Sequence, residues 1–162
     1  SRYRKDIIVA DCFCAIPADH ALAAQPTVSF EDIGDLPLGT LQSTHFIHRR
    51  TVDAFEQLGF APKILLDSQY FLPILPFVSA GKCVSVVDPL TVVSEHKISL
   101  TGDSIVFRRL EPAFRYEYVV LTPVFRPLSQ LAKLVKGEWV AEVLRLLEGI
   151  GANPTFTEAP PG

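Results

Sequence analysis

The chain has 162 residues, of which 48% are hydrophobic and 20% charged, with no low-complexity run, so it should fold as one ordinary domain or as two small lobes. Its net charge of −3 argues against nucleic-acid binding by this piece alone, because neutralising phosphates needs a basic surface. No apolar run approaches the roughly 20 residues of a membrane helix, and no signal-peptide pattern opens the chain.

Residues 7–16 are rich in strand formers and are predicted as one strand, stopped by Pro17. Ser29 followed by Asp32 forms a capping box that starts a short helical turn ending at Gly34. Residues 38–41 read as a short strand, and Gln42-Ser43-Thr44 leads into a helix over about 45–58. There Phe46, Val52, Phe55 and Leu58 recur near helical spacing, and Gly59 supplies the stop. Residues 63–66 are the next strand. After Asp67-Ser68-Gln69, an apolar helical run reaches Ala80, in which Pro73 fits a first turn while Pro76 should kink or shorten the helix.

Residues 83–87 read as a strand ending at Asp88-Pro89, ahead of a short helix over 90–94. Two more strands, 105–110 and 116–122, follow. The last element is the plainest helix. Ser129 caps it, Leu131, Val135, Trp139, Val143, Leu146 and Ile150 lie near one face, and Lys133, Glu142, Arg145 and Glu148 take the wet side. Residues 151–162, with Pro154, Pro160, Pro161 and two more glycines, read as a disordered tail.

Strands alternating with helices imply parallel crossover units and an α/β fold, in which ligands bind beyond the carboxyl ends of the strands. Three strands end in polar loops that lead to helices: Gln42-Ser43-Thr44, Asp67-Ser68-Gln69 and Asp88-Pro89-Leu90-Thr91. A fourth, ending at Thr122, runs to the Ser129 cap. Helix N-termini suit an anionic ligand group, although helix capping alone produces the same pattern. Cys12, Cys14 and Cys83 are odd in number and lack framework spacing, which indicates buried thiols in a reducing compartment. No metal-ligand set accompanies them, and His45 with His48 lacks a third ligand. Gly102-Asp103-Ser104 is followed by a strand where an esterase nucleophile needs a helix. Arg49-Arg50 and Arg108-Arg109 read as solvated pairs. Nothing supports catalysis.

Four stretches carry a resemblance: CAIPADHALA (14–23), VSFEDIGDLPL (28–38), AFEQLGFAPKILLDSQ (54–69) and VSAGKCVSVVDPLT (78–91). In that order and spacing they resemble the regulatory domain of LysR-type transcriptional regulators over residues 7–149. Asp88-Pro89-Leu90-Thr91, with Arg126-Pro127-Leu128-Ser129, is similar to one subgroup, the activator of lysine biosynthesis and the regulators of octopine and nopaline catabolism. The resemblance implies a two-lobed, periplasmic-binding-protein-like (Rossmann-like) α/β fold with an amino-acid or opine-like effector in the cleft between lobes. It places residues 17–112 in the second lobe, and 1–16 with 113–150 in the first lobe and its crossover strands. That first lobe is incomplete, since its opening strands and helices are absent from this sequence, as are the helix-turn-helix and linker helix.

By the same resemblance, Gln42, Ser43 and Thr44 belong to a loop that holds the effector's carboxylate with hydroxyls and backbone N–H groups. Gln69 and Tyr70 read its polar and aliphatic parts. Asp88, with Thr91 in the same loop, pairs with an amine or guanidinium, although an Asp before Pro in a turn needs no ligand. The implied protein is no enzyme, takes no cofactor or metal, and works in the cytoplasm as a dimer or tetramer in its full-length form. Its partners are the small effector and, only through the absent helix-turn-helix, DNA. The alternatives are a periplasmic-type solute-binding protein, disfavoured by the cysteines and the missing signal peptide, and a small α/β hydrolase. The purified chain is expected not to retard duplex DNA in a gel-shift assay; tight, salt-sensitive retardation would overturn that expectation.

Overall fold

The structure is a computed structural model that describes residues 2–160. The strand expected over residues 7–16 is two strands, β1 (Tyr3–Asp11) and β2 (Phe13–Pro17). Cys12 separates them, and its N–H donates to the Phe114 carbonyl at 2.7 Å. Next come a 3-10 turn (Ala21–Ala24), β3 (Thr27–Val28), α1 (Phe30–Ile33), β4 (Pro37–Leu41), α2 (Phe46–Gln57) and β5 (Lys63–Ser68). A second 3-10 turn (Leu72–Ile74) runs into α3 (Leu75–Ser79), followed by β6 (Val84–Val87), α4 (Pro89–Ile98) and β7 (Ile105–Leu110). The chain then forms β8 (Arg115–Pro123), α5 (Gln130–Gly149) and β9 (Thr155–Thr157).

Local chemistry explains most of these limits. Ser29 and Asp32 exchange both bonds of a capping box at the start of α1. Pro73 and Pro76 occupy the first turns of two separate helical pieces, so Pro76 divides the expected helix where it lacks an N–H to give. The helix expected over 90–94 extends to Ile98. Asp88 caps its start, Pro89 fits its first position, and left-handed Ser99 (φ 53°) ends it by donating to the Glu95 carbonyl.

The chain divides into two compact units: Asp11–Phe114, and the residues up to Ala10 together with those from Arg115 onward. Residues 11–16, assigned to the first lobe from the sequence, belong to the Asp11–Phe114 unit instead. The reason is that β2 pairs antiparallel with both β6 and β7 and lies inside that unit's sheet. Residues 113 and 114 join it too, and Phe114 meets the Phe30 ring edge-on at 5.3 Å.

The Asp11–Phe114 unit is built on a six-stranded sheet of order β3-β7-β2-β6-β4-β5. β4 runs parallel to β5 on one side and to β6 on the other, as the alternating pattern predicts, while β2 and β7 make the sheet mixed. Its core includes Ile16, Ile33, Leu38, Phe55, Ile74 and Val87, all buried. At Gly39 an added Cβ would lie 2.5 Å from Ile74 Cγ2 and 3.2 Å from Cys83 Sγ. The β4–β5 register shifts between Leu38 and Gly39, and the buried Ser85 hydroxyl donates to the Gly39 carbonyl at 2.7 Å.

The other unit carries a three-stranded sheet of order β8-β1-β9. The tail expected to be disordered over 151–162 is ordered in its described part. β9 pairs antiparallel with β1 (Ile7↔Thr157, Val9↔Thr155), and the buried Ala152 donates its N–H to the Leu147 carbonyl at 3.0 Å. Residues 161–162 lie outside the described residues. α5 starts at the Ser129 cap as expected, but its buried residues are Val140, Val143 and Leu147, while Leu131, Val135 and Trp139 are exposed. Among the described residues no helix is long and apolar enough to cross a membrane.

These contacts give opposite expectations for two glycines. Gly39→Ala should lower stability by about 1–3 kcal/mol, because the methyl enters occupied space. Gly137→Ala, within α5 with nothing inside 4 Å of the new Cβ, should raise it by about 0.5–1 kcal/mol. Urea denaturation of both variants measures the contrast, and a neutral Gly39→Ala would show that the strand is not clamped.

Candidate functional site

Three adjacent parallel strands deliver their carboxyl ends to one edge of the six-stranded sheet. Leu41 pairs with Ser68 across β4 and β5, and Gly39 with Ser85 across β4 and β6. Continuing each register sets Gln42 beside Gln69 on one side and Asp88 on the other. The Gln42 N–H donates to the Ser68 carbonyl at 3.0 Å, which ties the first two loops together. The crossovers run from β4 to β5 on one side and then back across β4 to β6, so strand order reverses at β4 and leaves a crevice where ligands bind in open α/β sheets.

The seven residues singled out from the sequence fall into two groups. Gln42, Ser43, Thr44, Gln69 and Tyr70 are exposed, and Tyr70 is 65% so. Asp88 and Thr91 are buried and serve the start of α4. The Asp88 carboxylate accepts from the Leu90 N–H at 3.1 Å and from the Thr91 hydroxyl in a short bond. Capping therefore explains Asp88. It does not explain Ser43 and Thr44: the N-cap of α2 is His45, whose side chain makes no cap bond, and neither hydroxyl takes that place. The amino end of α2 keeps its free N–H groups beside two exposed hydroxyls.

Ser43 also lines a cleft of about 470 Å³ along α2 with Phe46, His48, Arg49, Arg50 and Asp53. The Arg50 guanidinium carbon lies 4.5 Å from the Phe114 ring centroid and 5.4 Å from that of Phe46, which sets its charge over two aromatic rings. Reading Arg49-Arg50 as a solvated pair missed this, although Phe46 and Arg50 stand four apart on one helix and so share a face. Arg108 and Arg109 are not simply solvated either. Arg108 donates to the Ala23 and Gln25 carbonyls, and Arg109 lies 3.7 Å from Asp11.

The remaining chemical candidates are occupied by the fold. His48 Nδ1 donates to the Leu41 carbonyl at 2.7 Å, fastening α2 to the end of β4. Ser104 donates to the Thr101 carbonyl at 2.5 Å within its own turn. Burial pushes the Cys14 thiol up to about 12 and raises those of Cys12 and Cys83, so all three are protonated at neutral pH and are poor nucleophiles. Among the described residues, no group of three or more His, Cys, Asp and Glu side chains is placed to hold a metal ion.

Residues 9–144 match the family described as the LysR substrate binding domain. The transcriptional activator protein LysR of Escherichia coli (strain K12) is 22% identical over 149 residues, covering 92% of this chain and 46% of that protein. The regulatory protein NocR of Agrobacterium tumefaciens (strain T37) is 24% identical over 118 residues, covering 73% of this chain and 38% of the other. The chain thus spans less than half the length of these relatives. Among solved structures, the regulatory domain of CcmR from Synechocystis PCC6803, in complex with 2-PG, superposes with a TM-score of 0.67 at 14% identity. That match covers 82% of this chain and 62% of that one.

The two groups of polar residues should separate in a stability measurement. Asp88→Ala removes a cap and is expected to cost about 1 kcal/mol or more, since the buried Thr91 hydroxyl loses its acceptor. Ser43→Ala with Thr44→Ala caps nothing and should leave the denaturation midpoint unchanged. A comparable loss in both variants would return Ser43 and Thr44 to a purely structural role.

Proposed function

We propose, from the premise that this chain belongs to the LysR substrate-binding domain family, that it is the effector-sensing part of a transcriptional regulator and takes a small amino-acid or opine-like ligand. The ligand's carboxylate is received at the loop after β4 by the Ser43 and Thr44 hydroxyls and the free N–H groups at the start of α2. Gln42, Gln69 and Tyr70 border it from the same sheet edge, and Arg50 supplies positive charge along the adjoining cleft. Asp88 and Thr91 act one step back, holding α4 at the third loop. The single observation that carries this reading is that Ser43 and Thr44 are exposed at a helix start they do not cap. Polar groups the fold does not consume, gathered at a strand-order reversal, are what a binding crevice requires.

Ligand binding favours whichever arrangement of the regulator holds the ligand more tightly, by no more than the difference in the two affinities. In the full-length protein that shift passes to the DNA-binding part, within a cytoplasmic homo-oligomer. The related CcmR regulatory domain with 2-PG bound supports the view that domains of this fold accommodate small ligands.

The test is calorimetric titration of the full-length regulator with a panel of amino acids and opines. One member is expected to bind saturably. Ser43→Ala with Thr44→Ala should then weaken binding by about 1–3 kcal/mol for each charge-assisted bond lost. Unchanged affinity in the double variant would remove these residues from the site.

A further inference from the structure

The unit formed by the residues up to Ala10 and from Arg115 onward has a cavity of its own, of about 380 Å³, lined by Arg4, Asp6, Thr122, Lys133, Lys136 and Glu158 among others. Its back wall is neutralised internally. Asp6, 2% exposed, accepts from Lys136 Nζ at 2.5 Å and from the Ala159 N–H at 2.8 Å. Burial pushes the Asp6 carboxyl upward, but the bonds from Lys136 and Ala159 and the charges of Lys136 and Arg4 outweigh it and hold the group below its ordinary value. Asp6 and Lys136 form an ion pair and cancel.

What remains is positive on balance, since the lining holds three cations (Arg4, Lys133, Lys136) against two anions (Asp6, Glu158). Neither Arg4 nor Lys133 has a salt-bridge partner among the described residues. A second, independent feature lies beside them. Thr122 is 3% exposed and lines the cavity, yet its hydroxyl has no hydrogen-bond partner among the described residues. The residue is otherwise enclosed, so the cavity is the space from which a partner for that hydroxyl can come. Lys133 stands in the first turn and a half of α5, where the helix end adds its own positive potential.

We propose that this cavity binds a small oxyanion, a carboxylate or phosphate group held by Arg4 and Lys133 with the Thr122 hydroxyl donating to it. The elements that build it, β1, β8 and α5, contribute none of the residues of the site proposed above, and either site stands without the other. The volume is ample for a small molecule that carries one such group.

Inorganic phosphate and acetate, titrated separately at constant ionic strength while the backbone amide signals of Thr122 and Lys133 are followed by NMR, test the proposal. Saturable shifts at both residues are expected with at least one of the two anions. Saturation by phosphate alone assigns the site to phosphate groups, and by acetate alone to carboxylates. Lys133→Met should weaken binding at least fivefold and the isosteric Thr122→Val at least twofold, while Lys97→Met, exposed in the other unit, should not change it. Shifts that never saturate with either anion, an adventitious ion only, would overturn the proposal. So would unchanged affinity in Lys133→Met, or equal weakening by Lys97→Met.

Discussion

At Gly39 the chain has no room for a side chain. Ile74 presses on β4 at that point, Cys83 lies alongside, and the buried Ser85 hydroxyl reaches across from β6 to the Gly39 carbonyl. This close approach keeps β4 in the middle of the parallel part of the sheet, with β5 and β6 paired on its two edges. Because parallel neighbours need crossover connections, each of these strands enters at one edge of the sheet and leaves at the other. The loops after Leu41, Ser68 and Val87 therefore meet in space while lying far apart in sequence. Everything in the candidate site depends on β4 holding that central place.

Much of this order is legible in the amino-acid sequence, because the signals are local. Ser29 with Asp32 and Ser129 at the head of α5 are caps whose bonds form as their spacing predicts. What is less legible depends on distant partners. Nothing around Cys12 marks a break between strands; the break arises where its N–H finds Phe114. β9 is three residues of strand-forming character among prolines and glycines, and only its pairing with β1 makes it a strand. In α5 a series at every fourth residue drifts around the helix, so Leu131, Val135 and Trp139 do not continue the face that buries Val143. The candidate site was legible as a set of loops. Its division into cap residues and exposed residues was not, because a hydroxyl before a helix reads the same in either role.

That division recurs elsewhere among the described residues. Charged or polar groups that the fold needs are matched inside it: Asp88 by Leu90 and Thr91, Asp6 by Lys136 and Ala159, Arg108 by the carbonyls of Ala23 and Gln25. Removing one partner from such a set leaves the other desolvated and unpaired, so these groups answer to stability first. The side chains of Ser43, Thr44, Gln69 and Tyr70 are exposed and have no such partner among the described residues. Unconsumed hydrogen-bonding capacity gathered at one place is a more specific indication of binding than polarity, which every loop has.

The bond between the Cys12 N–H and the Phe114 carbonyl has one more implication. It means that the Asp11–Phe114 unit starts and finishes at neighbouring points, although its chain is continuous throughout. A segment with adjoining ends behaves as a cassette. A single exchange of coding sequence replaces it whole, and a host sheet needs only a narrow gap to receive it. Exchanging this segment then replaces the unit whole while leaving the strands on either side of it in register, and a laboratory graft of the same segment between two strands of an unrelated reporter obeys the same geometry.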